Sequence, residues 1–135
     1  MNSILIVGAV LILALAFGFV DRRRSGKVNL KEDSRHQVSS HEIGSDLGEV
    51  ATVLQFSSAF CTPCRTTRST LSSVISRYPK IKHVEVDADS KLDLVRRLEI
   101  RQTPTTLFLN SAGREIARAV GAPKRDQVVN ALERI

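Results

Sequence analysis

Val50-Ala51-Thr52-Val53-Leu54-Gln55-Phe56-Ser57-Ser58-Ala59-Phe60-Cys61-Thr62-Pro63-Cys64, residues 50–64, decides how the rest of the chain is read. Residues 50–56 are β-branched and apolar with little interruption, the pattern of a strand covered on both faces. Ser57, Ser58 and Ala59 make a loop. Thr62 and Pro63 stand where a helix begins, and proline is tolerated there because its missing N–H would have had no intrahelical partner. That helix is expected to run to about Tyr78, with Leu71, Val74, Ile75 and Tyr78 at i, i+3, i+4 and i+7. Pro79 closes it.

The two cysteines of the chain are therefore three residues apart at a strand-to-helix junction. Two thiols so close cannot staple distant segments, so they read as a chemical site and not as the framework of a secreted disulfide scaffold. A helix amino terminus presents unpaired N–H groups and a positive dipole end, and both favour a thiolate over a thiol. Cys61 is thus the expected nucleophile. Cys64, one turn later, can close an internal disulfide and is the expected buried, resolving partner. Pro63 restricts the backbone between them. CxxC alone is a weak signal, but CxxC between a strand and a helix is a much stronger one.

Downstream, Ile81–Val86 alternates apolar and polar residues and predicts a second strand. Ser90–Leu98 predicts a short helix with Leu92, Val95 and Leu98 on one side. Thr105–Leu109 predicts a third strand, Asn110–Gly113 a turn, and Glu115–Val120 an antiparallel return strand. Gly121 and Pro123 break it, and Lys124–Arg134 predicts the last helix. The order β-α-β-α-β-β-α gives an α/β fold, with helices covering both faces of a central sheet over residues 49–135.

At this point the chain resembles the thioredoxin family. The resemblance rests on VLQFSSAFCTPC, then HVEVDAD, then RQTPTTLFLNSAGRE, then VGAP, which together run from about residue 50 to 135. It implies a thioredoxin-like fold with a central mixed sheet, a protein-disulfide oxidoreductase activity without a cofactor, and protein or small thiol and disulfide substrates. It also implies a cis Thr103–Pro104 bond facing the cysteines, with Thr103 pairing with substrate main chain in the manner of strand addition. Phe60, Pro63, Pro104, Gly121 and Ala122 would line the same groove. Several positions depart from the family pattern. Phe60 replaces the usual tryptophan. Gln55 replaces a buried acid that assists the resolving cysteine, and it can hydrogen-bond but not titrate. His83 falls at or beside the position of a buried lysine; it is read as an ordinary strand histidine, with a proton relay as the alternative. The dipeptide between the cysteines is Thr-Pro rather than Gly-Pro, which leaves the redox direction open, with reduction preferred. An obvious first strand and helix are missing.

The amino terminus reads separately. Ile4–Val20, ILIVGAVLILALAFGFV, carries no charge and would span about 25 Å as a helix, enough to cross a bilayer. Residues 1–21 are therefore read as a single-pass transmembrane anchor. A cleaved signal is the alternative, disfavoured because no basic residue precedes the run. Arg22, Arg23, Arg24 and Lys27 follow it, which places the soluble domain in the cytoplasm by the positive-inside bias. In that compartment thioredoxin reductase is the expected electron donor; an extracytoplasmic domain would need a transmembrane thiol carrier instead. Residues 22–48 are polar and are read as a tether, with only a faint strand signal at Val28–Leu30.

The net charge of +6 is dispersed, and aromatic residues make up only 4%, so a nucleic-acid surface is not indicated. Arg65 and Arg68 follow Cys64 on the helix and Arg101 precedes Thr103, where they could favour the thiolate or acidic partners, and solvated surface arginines are the simpler account of them. His36, His41 and His83 have no common zinc spacing relative to Cys61 and Cys64, so no metal is expected. A zinc-binding site and a non-catalytic adaptor at the membrane are the competing functions.

Overall fold

The computed structural model describes residues 1–30 and 36–135. Among these, the elements in chain order are α1 (Asn2–Arg24), β1 (Val28–Leu30), α2 (Ser40–Ile43), β2 (Ala51–Ser57), α3 (Thr62–Ile75), β3 (Ile81–Asp87), α4 (Leu92–Arg97), β4 (Thr105–Asn110), β5 (Glu115–Val120) and α5 (Arg125–Leu132). The strands form one mixed sheet in the order β1-β5-β4-β2-β3. Only the β2–β3 pair is parallel. The chain crosses between those two strands through α3, as parallel neighbours require.

Every residue of β2 is buried, which explains its unbroken apolar pattern. Alternate residues face opposite layers. Val53 and Phe108 pack with Ala117 and Ala119 against Leu71, Val74 and Ile75 of α3 and Val128, Ala131 and Leu132 of α5. Leu54, Phe56, Val84, Val86, Leu107 and Leu109 face the other way, against Leu94 of α4, Leu98, Ile100 and Ile43 of α2. The result is the expected α/β sandwich, with α3 and α4 each ending slightly inside the limits read from the sequence.

The stretch 22–48 differs from the tether expected of it, apart from residues 31–35, which lie outside the described residues. Val28, Asn29 and Leu30 pair antiparallel with Ala119, Arg118 and Ala117. Val38 and Ile43 are buried in the core, and Gln37 forms a bridge to Arg114. The physical reason is that a few isolated apolar side chains anchor this segment. The faint strand signal at Val28–Leu30 is realised as an edge strand, whereas Val38 and Ile43, without periodicity, give no local signal and yet fill places in the core.

In contrast, α1 is apolar, with a mean hydropathy of 2.8 over its candidate span, and none of that span is buried. It does not pack on the domain.

Candidate active site

The site lies where β2 ends and α3 begins. Cys61 is the N-cap of α3, with extended backbone, and its Sγ accepts a hydrogen bond from the Cys64 N–H at 3.2 Å. No acidic residue stands in the first turn of α3, so no side chain there offsets the positive end of the helix dipole. The two sulfurs form a disulfide of 1.99 Å, with the Cα atoms 5.2 Å apart. Cys61 is half-buried, whereas Cys64 is only 2% exposed. Thr67, fully buried one turn on, donates its hydroxyl to the Pro63 carbonyl at 2.9 Å and steadies the turn that carries the second sulfur.

Beneath the disulfide sits Gln55, with no exposed surface. Its Nε2 donates to the Cys64 carbonyl and to the Ser57 hydroxyl, both at 3.0 Å. The reverse orientation of the amide would set oxygen against the Cys64 carbonyl, so the orientation follows from the network. Gln55 Oε1 must then accept, and His83 Nε2, 3.1 Å away, donates to it. His83 is thereby held as the Nε2–H tautomer, with Nδ1 3.5 Å from the Ser72 hydroxyl on α3. Burial pushes the His83 pKa below its ordinary value; Glu85 acts against this and Arg68 reinforces it. The group under the cysteines is therefore neutral on both members.

Thr103–Pro104 is a cis peptide bond, as expected. It lies at the start of β4, whose Thr105 pairs with Phe56 of β2, which sets it beside the loop leading to the cysteines. The hydroxyls of Thr103 and Ser58 are hydrogen-bonded at 3.0 Å. Gly121 donates its N–H to the Pro104 carbonyl at 2.8 Å. Phe60 and Pro63 are exposed, Phe60 completely. Cys61 and Cys64 follow the end of β2, Thr103 and Pro104 precede Thr105, and Gly121 follows Val120, so the register Phe56–Thr105–Val120 sets these residues at one rim of the sheet.

The arginines divide. Arg68 is committed to Glu85, through Nε at 2.6 Å and Nη2 at 2.7 Å, and it holds the Glu85 carboxyl below the usual carboxylate range. Arg65 and Arg101 are exposed. His36 contacts Glu115 through Nδ1 at 3.1 Å, and among the described residues no group of three His, Cys, Asp or Glu is placed to hold a metal. The contacts Gln55–His83 and Ser58–Thr103 were not foreseen. They join separate strands and loops, so only the strand register reveals them.

Comparison with known proteins now decides the family. The family model described as Thioredoxin matches residues 35–134. The chain belongs to the thioredoxin family. Thioredoxin H5 of Oryza sativa subsp. japonica is 34% identical over 101 residues, covering 75% of this chain and 73% of that protein. Thioredoxin H4-1 of the same organism is 31% identical, covering 78% of each. The oxidised form of mitochondrial thioredoxin 3 from Saccharomyces cerevisiae superposes with a TM-score of 0.58 at 22% identity, over 70% of this chain and 85% of that one, a likeness of fold. With a cysteine pair at bonding distance on this fold, this member of the thioredoxin family is a thiol–disulfide oxidoreductase. The family match begins at residue 35, so α1 and β1 lie outside it.

Proposed function

We propose that this thioredoxin-family chain is a membrane-anchored protein-disulfide reductase in which Cys61 attacks and Cys64 resolves. The observation that carries the division of labour is the difference in exposure: Cys61 is half-open at the helix N-cap, while Cys64 is 2% exposed. In the reduced enzyme the Cys61 thiolate attacks one sulfur of a substrate disulfide. An S–S bond forms to Cys61, and the other substrate sulfur leaves as a thiolate and takes up a proton. Cys64 then loses its proton and attacks Cys61 Sγ, which releases the second substrate thiol. The enzyme is left with the Cys61–Cys64 disulfide, and a donor such as thioredoxin reductase returns two electrons. Thr103 offers its backbone to an extended substrate. Phe60, Pro63, Pro104 and Gly121 supply the surrounding rim.

Cys61→Ser is expected to abolish disulfide exchange, and Cys64→Ser to accumulate mixed disulfides with substrate on non-reducing gels. Exchange surviving the first change overturns the assignment.

The anchor reading is supported by the length and unburied apolar surface of α1. The cytoplasmic orientation is supported by Arg22, Arg23, Arg24 and Lys27 just after the span. The protein is expected in the membrane fraction after carbonate extraction, with Cys61 unreactive towards impermeant thiol reagents in intact cells. Release by carbonate, or a mature chain lacking residues 1–21, overturns the anchor; labelling from outside overturns the orientation.

A further inference from the structure

The junction between α1 and the domain is not slack. Only Ser25, Gly26 and Lys27 separate α1 from β1. The Gly26 N–H donates to the Val120 carbonyl at 2.5 Å. Gly26 is buried, with φ +85°, and a side chain on it would collide with the Ala122 carbonyl. Opposite it, Gly121 has φ +87°, and a Cβ there would lie 2.5 Å from Ser25 Oγ and 2.9 Å from the Gly26 nitrogen. Two backbones that only glycine can bring this close are packed against each other.

This junction sits at the redox end of the sheet. Gly121 also donates to the Pro104 carbonyl, so two backbone hydrogen bonds lead from the foot of α1 to the cis-proline loop. The register agrees: Val28 faces Ala119, Val120 faces Thr105, and Thr105 faces Phe56. From β1 across β5 and β4 to β2 is three strand spacings, about 14 Å. α1 leaves its apolar surface free of the domain, and its foot stands at this same rim. Arg22, Arg23 and Lys27 are exposed around the junction, and Phe60 is fully exposed beside Cys61.

We propose that the rim bearing Cys61 faces the membrane surface, and that its substrates are disulfides on membrane proteins, within a few residues of the partner's own span. This rests on the reading of α1 as a transmembrane anchor. A bilayer entered at the foot of α1 lies beside the redox rim. The basic residues there suit anionic headgroups. A juxtamembrane disulfide in the same bilayer meets Cys61 at high effective concentration, while one held far above the surface does not.

The test uses the full chain in liposomes of phosphatidylcholine and phosphatidylglycerol. Two single-span peptides are co-reconstituted, one carrying a mixed disulfide three residues from its span, the other carrying it beyond a long Gly/Ser linker. The parent is expected to reduce the near disulfide at least tenfold faster. A variant with a long Gly/Ser insertion between Arg24 and Ser25 is expected to lose that preference while reducing a small soluble aryl disulfide at the parent's rate. Equal rates on both peptides by an anchored parent that reduces the aryl disulfide overturn the inference alone. A parent that does not stay in the liposomes, or does not reduce the aryl disulfide, overturns the underlying reading and the inference with it. As an independent readout, Phe60→Trp is expected to be quenched by brominated lipid in the parent background and not in the insertion background; unquenched Trp fluorescence in an anchored parent overturns the orientation.

Discussion

Among the described residues, two polar clusters lie against the core, at opposite ends of the sheet and on opposite faces. Glu115, with 1% exposure, binds Arg118 through two hydrogen bonds of 2.6 and 2.8 Å and also contacts His36. It stands at the end of β5 farthest from the cysteines. Gln55, His83 and the Cys64 carbonyl form the other cluster, directly under the disulfide. The first is ionic, the second neutral. A buried ion pair is held by mutual attraction against a large desolvation cost. A buried amide needs only hydrogen-bond partners. The charged cluster sits at the end of the sheet away from the disulfide, and the place beside Cys64 is given to a group that cannot ionise.

The ionic cluster is the more costly of the two to disrupt. Glu115→Ala leaves Arg118, 8% exposed, without its counter-charge. Unfolding in urea is expected to show a loss of about 3–5 kcal/mol, while the folded fraction keeps the exchange rate of the parent. A loss under about 1 kcal/mol would mean that the pair is no more than a surface contact.

Gln55→Ala should give the reverse balance. It removes one neutral partner, at about 1–3 kcal/mol, but it unties the Cys64 carbonyl. Stopped-flow kinetics should show resolution of the mixed disulfide slowed and its formation unchanged. Equal slowing of both steps would argue that Gln55 serves only the fold.

The smallest expected effect is the pH dependence carried by His83. Burial lowers its folded-state pKa from 6.5. As pH falls the unfolded chain therefore takes up the proton first, so the unfolded state binds more protons and stability declines. The contribution is complete above about 6.5 and is lost as pH falls from there through the folded-state pKa. His83→Gln should flatten the unfolding midpoint between pH 7 and pH 5 relative to the parent. An unchanged slope would place the pH dependence elsewhere.

Much of this was legible locally. The continuous apolar strand Val50–Phe56, the cysteines at its end and the helical spacing of Leu71, Val74 and Ile75 are each coded within a few residues, and the hairpin β4–β5 is announced by its turn. What was not legible depends on register. Gln55 meets His83 only because β2 and β3 pair with Gln55 opposite Glu85 and Val53 opposite His83. Glu115 and Arg118 are three apart, which in a regular strand sends side chains to opposite faces. The irregularity in β4–β5 pairing at Phe108/Leu109 brings them to the same side. β1 shows only as the faint signal at Val28–Leu30, α2 is too short to show a period, and Val38 and Ile43 reveal themselves only by what they fill.

The position of β1 also bears on how copies of the chain behave when crowded. An open sheet edge invites another strand to add to it, the more so the higher the local concentration of copies. β1 occupies the β5 edge. On the other side β3 pairs, among the described residues, with β2 alone, and it carries the half-buried Lys82 on one face and the exposed Glu85 and Asp87 on the other. One edge ends in a strand of only three residues and the other is guarded by mixed charge, so each offers a poor template for another copy of the sheet.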